Sequence, residues 1–326
     1  MITQDLSHEP IRYMSCPDKF HVRLANWHGV RYEMIFSKIL HNLEFSSLEK
    51  GKTIGEQHSL FALDYNAKLE TFHGITHEDR PLGDFDVTIE QVLAGLEAGN
   101  PMFFALKAKF MPDAAQILLD IDYEFPVLVL AYEEDRFWYG DYYDPHRVLS
   151  LPYDNFVEGV RYGSRGRNQY VVYPKVEDFE APPARVWAET LLQDLPGVRK
   201  RETLRAFLDY LGDGYDLRAE EEHTEYGGIL ADKLFQNLFR SYRIYPLAVQ
   251  TAAGRQEHPP ELDGLLSLIK QLEDLSYINQ MLVHKARAAG EYGRAVRELR
   301  ENFARLGELD GALEELVKKT FAPYVS

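Results

Sequence analysis

The chain is poor in cysteine: Cys16 is the only one in 326 residues. That excludes an internal disulfide and a structural zinc site built on several cysteines, and it fits a reducing compartment, so a cytoplasmic location is expected. Long apolar runs are missing too, and none approaches a bilayer span. The first ten residues have neither a basic start nor an apolar run, so they do not read as a signal peptide. Positive charge is scarce: 36 Lys and Arg stand against 52 Asp and Glu, a formal charge of −16. That disfavours nucleic acid and anionic membrane as partners, because both need a concentrated basic surface. Internal repeats and low-complexity tracts are absent. What is abundant is aromatic: twenty Tyr and eighteen Phe in a chain that is 45% hydrophobic. Such a chain packs a globular core or lines a deep pocket rather than staying disordered.

The length suits one large domain or two ordinary ones. Strand and helix patterns mix before residue 180, and helical period dominates afterwards. Pro182 and Pro183 mark the boundary, since a double proline removes two amide donors and favours a linker or a helix start. In the first region the pattern predicts helices over 33–43 and 89–99, with Thr88 as N-cap and Gly99-Asn100 as the stop of the second. It predicts strands at 60–63, 101–106, 127–132, 136–141, 148–151 and 169–173, and a short helix over 153–160; residues 114–119 read as either. The second region reads as helices over 184–195, 202–211, 226–240, 261–289, 291–306 and 309–321. The expectation is an α+β fold: an α+β domain over 1–180 with a mostly antiparallel sheet, followed by an all-α helical domain over 181–326.

Two segments carry a resemblance. Asn26-Trp27-His28-Gly29-Val30-Arg31-Tyr32-Glu33-Met34-Ile35-Phe36 reads as a polar turn opening an apolar helix. Phe125-Pro126-Val127-Leu128-Val129-Leu130-Ala131-Tyr132, followed by Phe137-Trp138-Tyr139-Gly140-Asp141-Tyr142-Tyr143-Asp144-Pro145, reads as a buried strand, a turn, a second strand and an Asp-Pro. Together they resemble the papain-like bacteriocin-leader peptidases and, more closely, the butirosin-biosynthesis acyltransferase family, in which a thiol-enzyme-like domain precedes a helical region. The resemblance implies transfer of an acyl or aminoacyl group from a carrier-protein thioester to an amine in natural-product biosynthesis. The implied partner is an acyl- or peptidyl-carrier protein with its phosphopantetheine arm; a small hydrophobic metabolite is the partner of the alternative, binding reading, and the helical region is left to dock a carrier protein or to pair with a second copy of the chain. No cofactor is implied.

That chemistry needs a thiolate, an imidazole and a group that orients the imidazole. By position the nucleophile belongs within 27–31 and the histidine near Phe125, and neither residue type stands there. The orienting acid matches Asp144 or, less well, Asp141. Two readings stay open. In one the domain is a non-catalytic homologue that binds a hydrophobic metabolite or a partner. In the other catalysis has moved, with His28 as relocated base, Asp144 as its orienter and Cys16 folded back as the thiol. Trp27, Arg31, Phe125, Asp141 and Tyr143 are then the substrate-binding residues, and Trp27 and Phe125 would make the cleft apolar.

Other clusters have weaker spacing. His73 and His77 sit among Glu78, Asp79, Asp84 and Asp86, and would join Asp144 in a metal-dependent hydrolase if helical. Gly74 and Arg80-Pro81 argue for a solvated loop instead. Asp141 to His146 reads first as a strand-ending turn. Gly163-Ser164-Arg165-Gly166-Arg167 could hold a phosphate but lacks the spacing of a phosphate loop, and Glu220 to His223 reads as a solvated acidic segment.

Overall fold

A computed structural model describes residues 14–41, 44–45, 58–59, 63–83, 85–111, 124–140, 147–163, 169–212, 215–219, 230–256, 259 and 261–325. The chain divides into two compact units. One comprises Met1–Tyr32 and Tyr65–Ala181, the other Glu33–Asp64 and Pro182–Ser326. The first unit ends at Ala181, just before the double proline, and Glu33–Asp64 belongs to the second unit with the helices.

The first unit opens with α1, Cys16–Trp27. Its start is written locally. The Ser15 hydroxyl accepts from the Asp18 amide at 3.4 Å, and the Asp18 carboxylate accepts from the Ser15 amide at 2.7 Å, a reciprocal cap with Pro17 in the first turn. Its end is as clear: Gly29 takes φ +67°, a left-handed conformation that suits glycine, and its amide bonds the Asn26 carbonyl. Residues 26–31 are therefore the exit of a helix. The sequence pattern placed a helix entrance there, and the expected helix over 33–43 is instead two 3₁₀ turns, Glu33–Phe36 and Ile39–His41, in the other unit.

After α2 (Tyr65–His73) come β3 (Glu78–Pro81), α3 (Phe85–Glu97), β4 (Met102–Lys107), β5 (Glu124–Glu133), β6 (Arg136–Gly140), β7 (Val148–Pro152), α4 (Tyr153–Gly163) and β8 (Gln169–Val172). The strands form one antiparallel six-stranded sheet in the order β3-β8-β4-β5-β6-β7. Thr88, expected as a cap, lies inside α3 and is buried. Alternate strand residues point to opposite faces. One face carries Phe104, Val127, Val129, Phe137, Leu151, Tyr170 and Val172, covered by Ile89, Val92 and Leu96 of α3 and Phe156 and Val160 of α4. The Phe137 and Phe156 rings stack with centroids 3.9 Å apart. The other face carries Phe103, against which Phe20 of α1 packs edge-on at 5.4 Å. α1 thus lies on the sheet face opposite α3 and α4.

The second unit holds a short strand pair, β1 (Glu44–Phe45) and β2 (His58–Ser59), and the helices α5 (Ala184–Gln193), α6 (Gly197–Gly212), α7 (Leu230–Ala253), α8 (Leu262–Ala289) and α9 (Tyr292–Phe321). The core is aromatic: Trp187, Phe207, Phe235, Tyr242, Tyr245, Phe303 and Phe321 are almost fully enclosed. α9 runs unbroken where the pattern suggested two helices, and α7 runs past the expected end at residue 240, with Pro246 inside it. Among the described residues no helix is long and apolar enough to cross a membrane.

Candidate functional site

The two ends of α1 carry the polar chemistry of the first unit. At the first end, Cys16 is the opening residue of the capped helix. Asp18 is fully enclosed, and its carboxylate also accepts from the Tyr65 hydroxyl of α2. The same tyrosine ring stacks on His21 at 4.4 Å. His21 Nδ1 lies 2.7 Å from the Pro17 carbonyl oxygen, and Nε2 lies 3.2 Å from the Asn66 side-chain amide. A neutral imidazole carries one N–H. The atom facing Nε2 is Asn66 Oδ1, an acceptor like the Pro17 carbonyl, so a neutral ring donates to one of the two and a protonated ring to both. Desolvation holds the His21 pKa below its ordinary value, against the opposing pull of Pro17, Asn66 and Asp18. With both nitrogens engaged, His21 orients Asn66 and is not a free base. Asn66 also bonds the Tyr173 hydroxyl, whose pKa is raised by burial and by the charge of Asp79.

At the other end, Trp27 is 41% exposed, and its indole N–H donates to the Gly99 carbonyl at 3.2 Å. His28 is half-buried. Its Nε2–H donates to the Tyr173 carbonyl at 3.1 Å, and its own carbonyl accepts from Lys175 Nζ at 3.3 Å. Burial pushes the His28 pKa down, the hydrogen bond to the Tyr173 carbonyl opposes it, and the Lys175 charge adds to the lowering. Arg31 is exposed just beyond.

These positions decide which predicted groups meet. Cys16 and His28 are twelve residues apart at opposite ends of one helix, about 18 Å along its axis at 1.5 Å per residue. They do not form a dyad. Phe125 stands in β5, paired with Leu106 of β4, so no imidazole opens that strand. Asp141, Tyr143 and Asp144 lie outside the described residues, as do residues 114–119, 60–62, the basic stretch 164–168 and the acidic stretch 220–223. His73 is buried in the last turn of α2, while His77 is exposed beyond Gly74. The helical spacing that a His-x-x-x-His metal site needs is broken by Gly74 at φ +65°. Among the described residues no group of three or more His, Cys, Asp or Glu could hold a metal ion.

The His21–Asn66–Tyr173 chain and the Asp18–Tyr65 pair were not anticipated from sequence, because their partners are far apart in the chain. The one readable signal was the Ser15-x-x-Asp18 cap with Pro17, which marks a helix start at Cys16.

Comparison with known proteins finds no matching protein-family model and no curated protein that matches the sequence at a significant level.

Proposed function

We propose that this chain is an acyl-transfer protein of the thiol-enzyme type, which accepts an acyl or aminoacyl group from a carrier-bound thioester onto Cys16 and passes it to an amine. The observation that carries this reading is the position of Cys16 as the first residue of a capped helix laid on one face of an antiparallel sheet. The resemblance to the butirosin-biosynthesis acyltransferases supports it, with the nucleophile eleven residues upstream of the window first expected.

A helix N-terminus lowers a thiol pKa and offers unpaired amides to a developing oxyanion. Asp18 in the same first turn opposes that effect, but its charge is spent on the Ser15 amide and the Tyr65 hydroxyl. The lack of an imidazole at 125 decides the donor class. An amide leaving group must be protonated before it departs, which needs a general acid. A thioester releases a thiolate, a leaving group of modest pKa that departs unprotonated. Cys16 thiolate attacks the thioester carbonyl carbon, a carbon–sulfur bond forms, the donor carbon–sulfur bond breaks, and the departing thiolate takes up the proton that Cys16 had lost. An amine then attacks the acyl-cysteine carbonyl carbon, a carbon–nitrogen bond forms, the carbon–sulfur bond breaks, and the proton that the amine loses passes to the departing Cys16 thiolate. Peptide hydrolysis is not part of this reading.

A second reading, a binding protein without covalent chemistry, is favoured by the engagement of both His21 ring nitrogens and the separation of His28 from Cys16. One experiment separates the two. Intact-mass analysis after incubation with acyl-pantetheine thioesters gives a single acyl adduct, absent in Cys16→Ser, if the thiol accepts the group. No adduct, together with slow labelling of Cys16 by a thiol-directed electrophile at mildly acidic pH, leaves the binding reading.

A further inference from the structure

The helical unit carries an apolar face that its own core does not use. One side of α8 is buried through Leu272, Leu275, Asn279, Val283 and Ala286. The opposite side is open. Tyr277 and Ile278 stand next to each other there, each 49% exposed although both are large and apolar. Met281 and Leu282, one turn further on, are partly exposed. Steps of three and four residues bring these four side chains onto one face of a helix. The Tyr277 ring rests against Phe239 of α7, with centroids 5.4 Å apart, so the face is anchored to the bundle.

Charges of opposite sign close this face at its two ends. Asp274 lies one turn before Tyr277, Lys285 lies one turn after Met281, and both are exposed. Their spacing is close to three helical turns, so they share one line along α8 about 16 Å apart. Lys270 Nζ sits 2.9 Å from Asp274 Oδ1, and a carboxylate has a second oxygen for a second cation. Turned end for end about the midpoint between Asn279 and Gln280, the face falls on itself with the signs exchanged. Asp274 then meets Lys285, and Tyr277-Ile278 meets Met281-Leu282.

We infer that this face is the contact of a homodimer, in which α8 of one copy lies antiparallel to α8 of a second copy across a two-fold axis. A two-fold contact uses the same surface on both copies, so that surface has to complement itself. The antiparallel pairing sets Asp274 against Lys285 twice and packs Tyr277 and Ile278 of each copy against Met281 and Leu282 of the other. A parallel pairing would set Asp274 against Asp274 and Lys285 against Lys285. A partner of one charge sign would meet like charge at one end of the face. The formal charge of −16 on each copy opposes association. The rim charges therefore fix orientation and register, while the four apolar side chains supply the burial. So small a face makes a reversible dimer and not an obligate one. None of these residues belongs to the acyl-transfer reading.

The test uses the full chain. Sedimentation velocity at micromolar to submillimolar concentrations is expected to show a monomer–dimer equilibrium. Ile278→Glu buries an unpaired carboxylate in the contact and is expected to raise the dissociation constant by at least about tenfold. Asp274→Lys and Lys285→Asp should each weaken the dimer, because each sets like charges against one another twice. An equimolar mixture of these two variants should regain association as a heterodimer, because both contacts then pair opposite charges. All three positions are exposed, and circular dichroism checks that each variant keeps its helices. A chain that stays monomeric over the whole range, a dimer that survives Ile278→Glu, or a mixture that associates no better than its components would each overturn the inference.

Discussion

At the scale of single residues, two positions hold their conformation or charge against a clear physical cost. Gly74 takes φ +65° immediately after α2, and a Cβ there would run into the Phe179 ring. Gly74→Ala combines left-handed strain with a collision against a bulky side chain, so it should destabilise the protein by more than about 1 kcal/mol in urea unfolding. A wild-type midpoint would mean that Phe179 and the backbone both move freely. Lys200 presents the opposite case, an ammonium buried against Asp310 and Tyr242. Lys200→Met leaves a carboxylate enclosed without its partner, and the expected loss is about 3–5 kcal/mol. The double variant Lys200→Met, Asp310→Leu removes both charges and should recover much of that loss, because pairing a buried charge matters more than having one. If single and double variants lose the same stability, the pair contributes by packing and not by charge.

At the scale of elements, glycine inside a long helix gives a prediction of the other sign. Gly307 and Gly311 lie within α9, and a Cβ at either meets nothing within 4 Å. Alanine at each restricts the unfolded chain without a clash, so each change should stabilise by roughly 0.5–1 kcal/mol, and the pair nearly additively, in chemical denaturation. Gly307 also shows why part of the fold was hidden. The pattern broke α9 there, but the apolar face from Leu299 through Phe303, Leu306, Leu313 and Val317 stays buried across the break. α7 likewise runs beyond the expected end at residue 240 and continues through Pro246, because Tyr242, Ile244, Tyr245, Ala248 and Val249 bury on both sides of it. Where period and punctuation agree, the elements were legible. β5, β6, β7, α4 and α8 lie close to their expected limits, as does the Gly99 stop after α3. α1 was missed because its apolar residues are diluted by Asp18, Lys19, His21, Arg23 and Asn26, of which Asp18 and Arg23 are buried. That one omission put the expected helix entrance at residues 26–31, where α1 ends.

At the scale of the whole molecule, burial of imidazoles sets an acid limit on stability in both units. His21 and His28 belong to the first unit and His41 to the second. In all three, desolvation is the largest influence and lowers the pKa from the ordinary value. For His41, Lys38 and Lys200 lower it further, while the Asp194 carbonyl and carboxylate oppose them. The unfolded chain therefore binds protons first, near the ordinary histidine pKa of about 6.5. The native state resists protonation until the pH is lower. Their contribution is complete above the unfolded value and is lost as pH falls through it towards the lowered folded values. Acidification also reduces a net charge of −16, which relieves self-repulsion and works in the other direction. Salt at about 0.15 M screens that long-range term and leaves the buried histidines as the main cause. In such salt, unfolding free energy measured from about pH 8 to pH 5 should stay level and then fall below about pH 6.5, and His41→Gln should flatten part of that fall. Stability that rises over the same interval would mean that the three rings are protonated in the folded chain, and that Pro17, Tyr173 and Asp194 hold imidazolium and not imidazole.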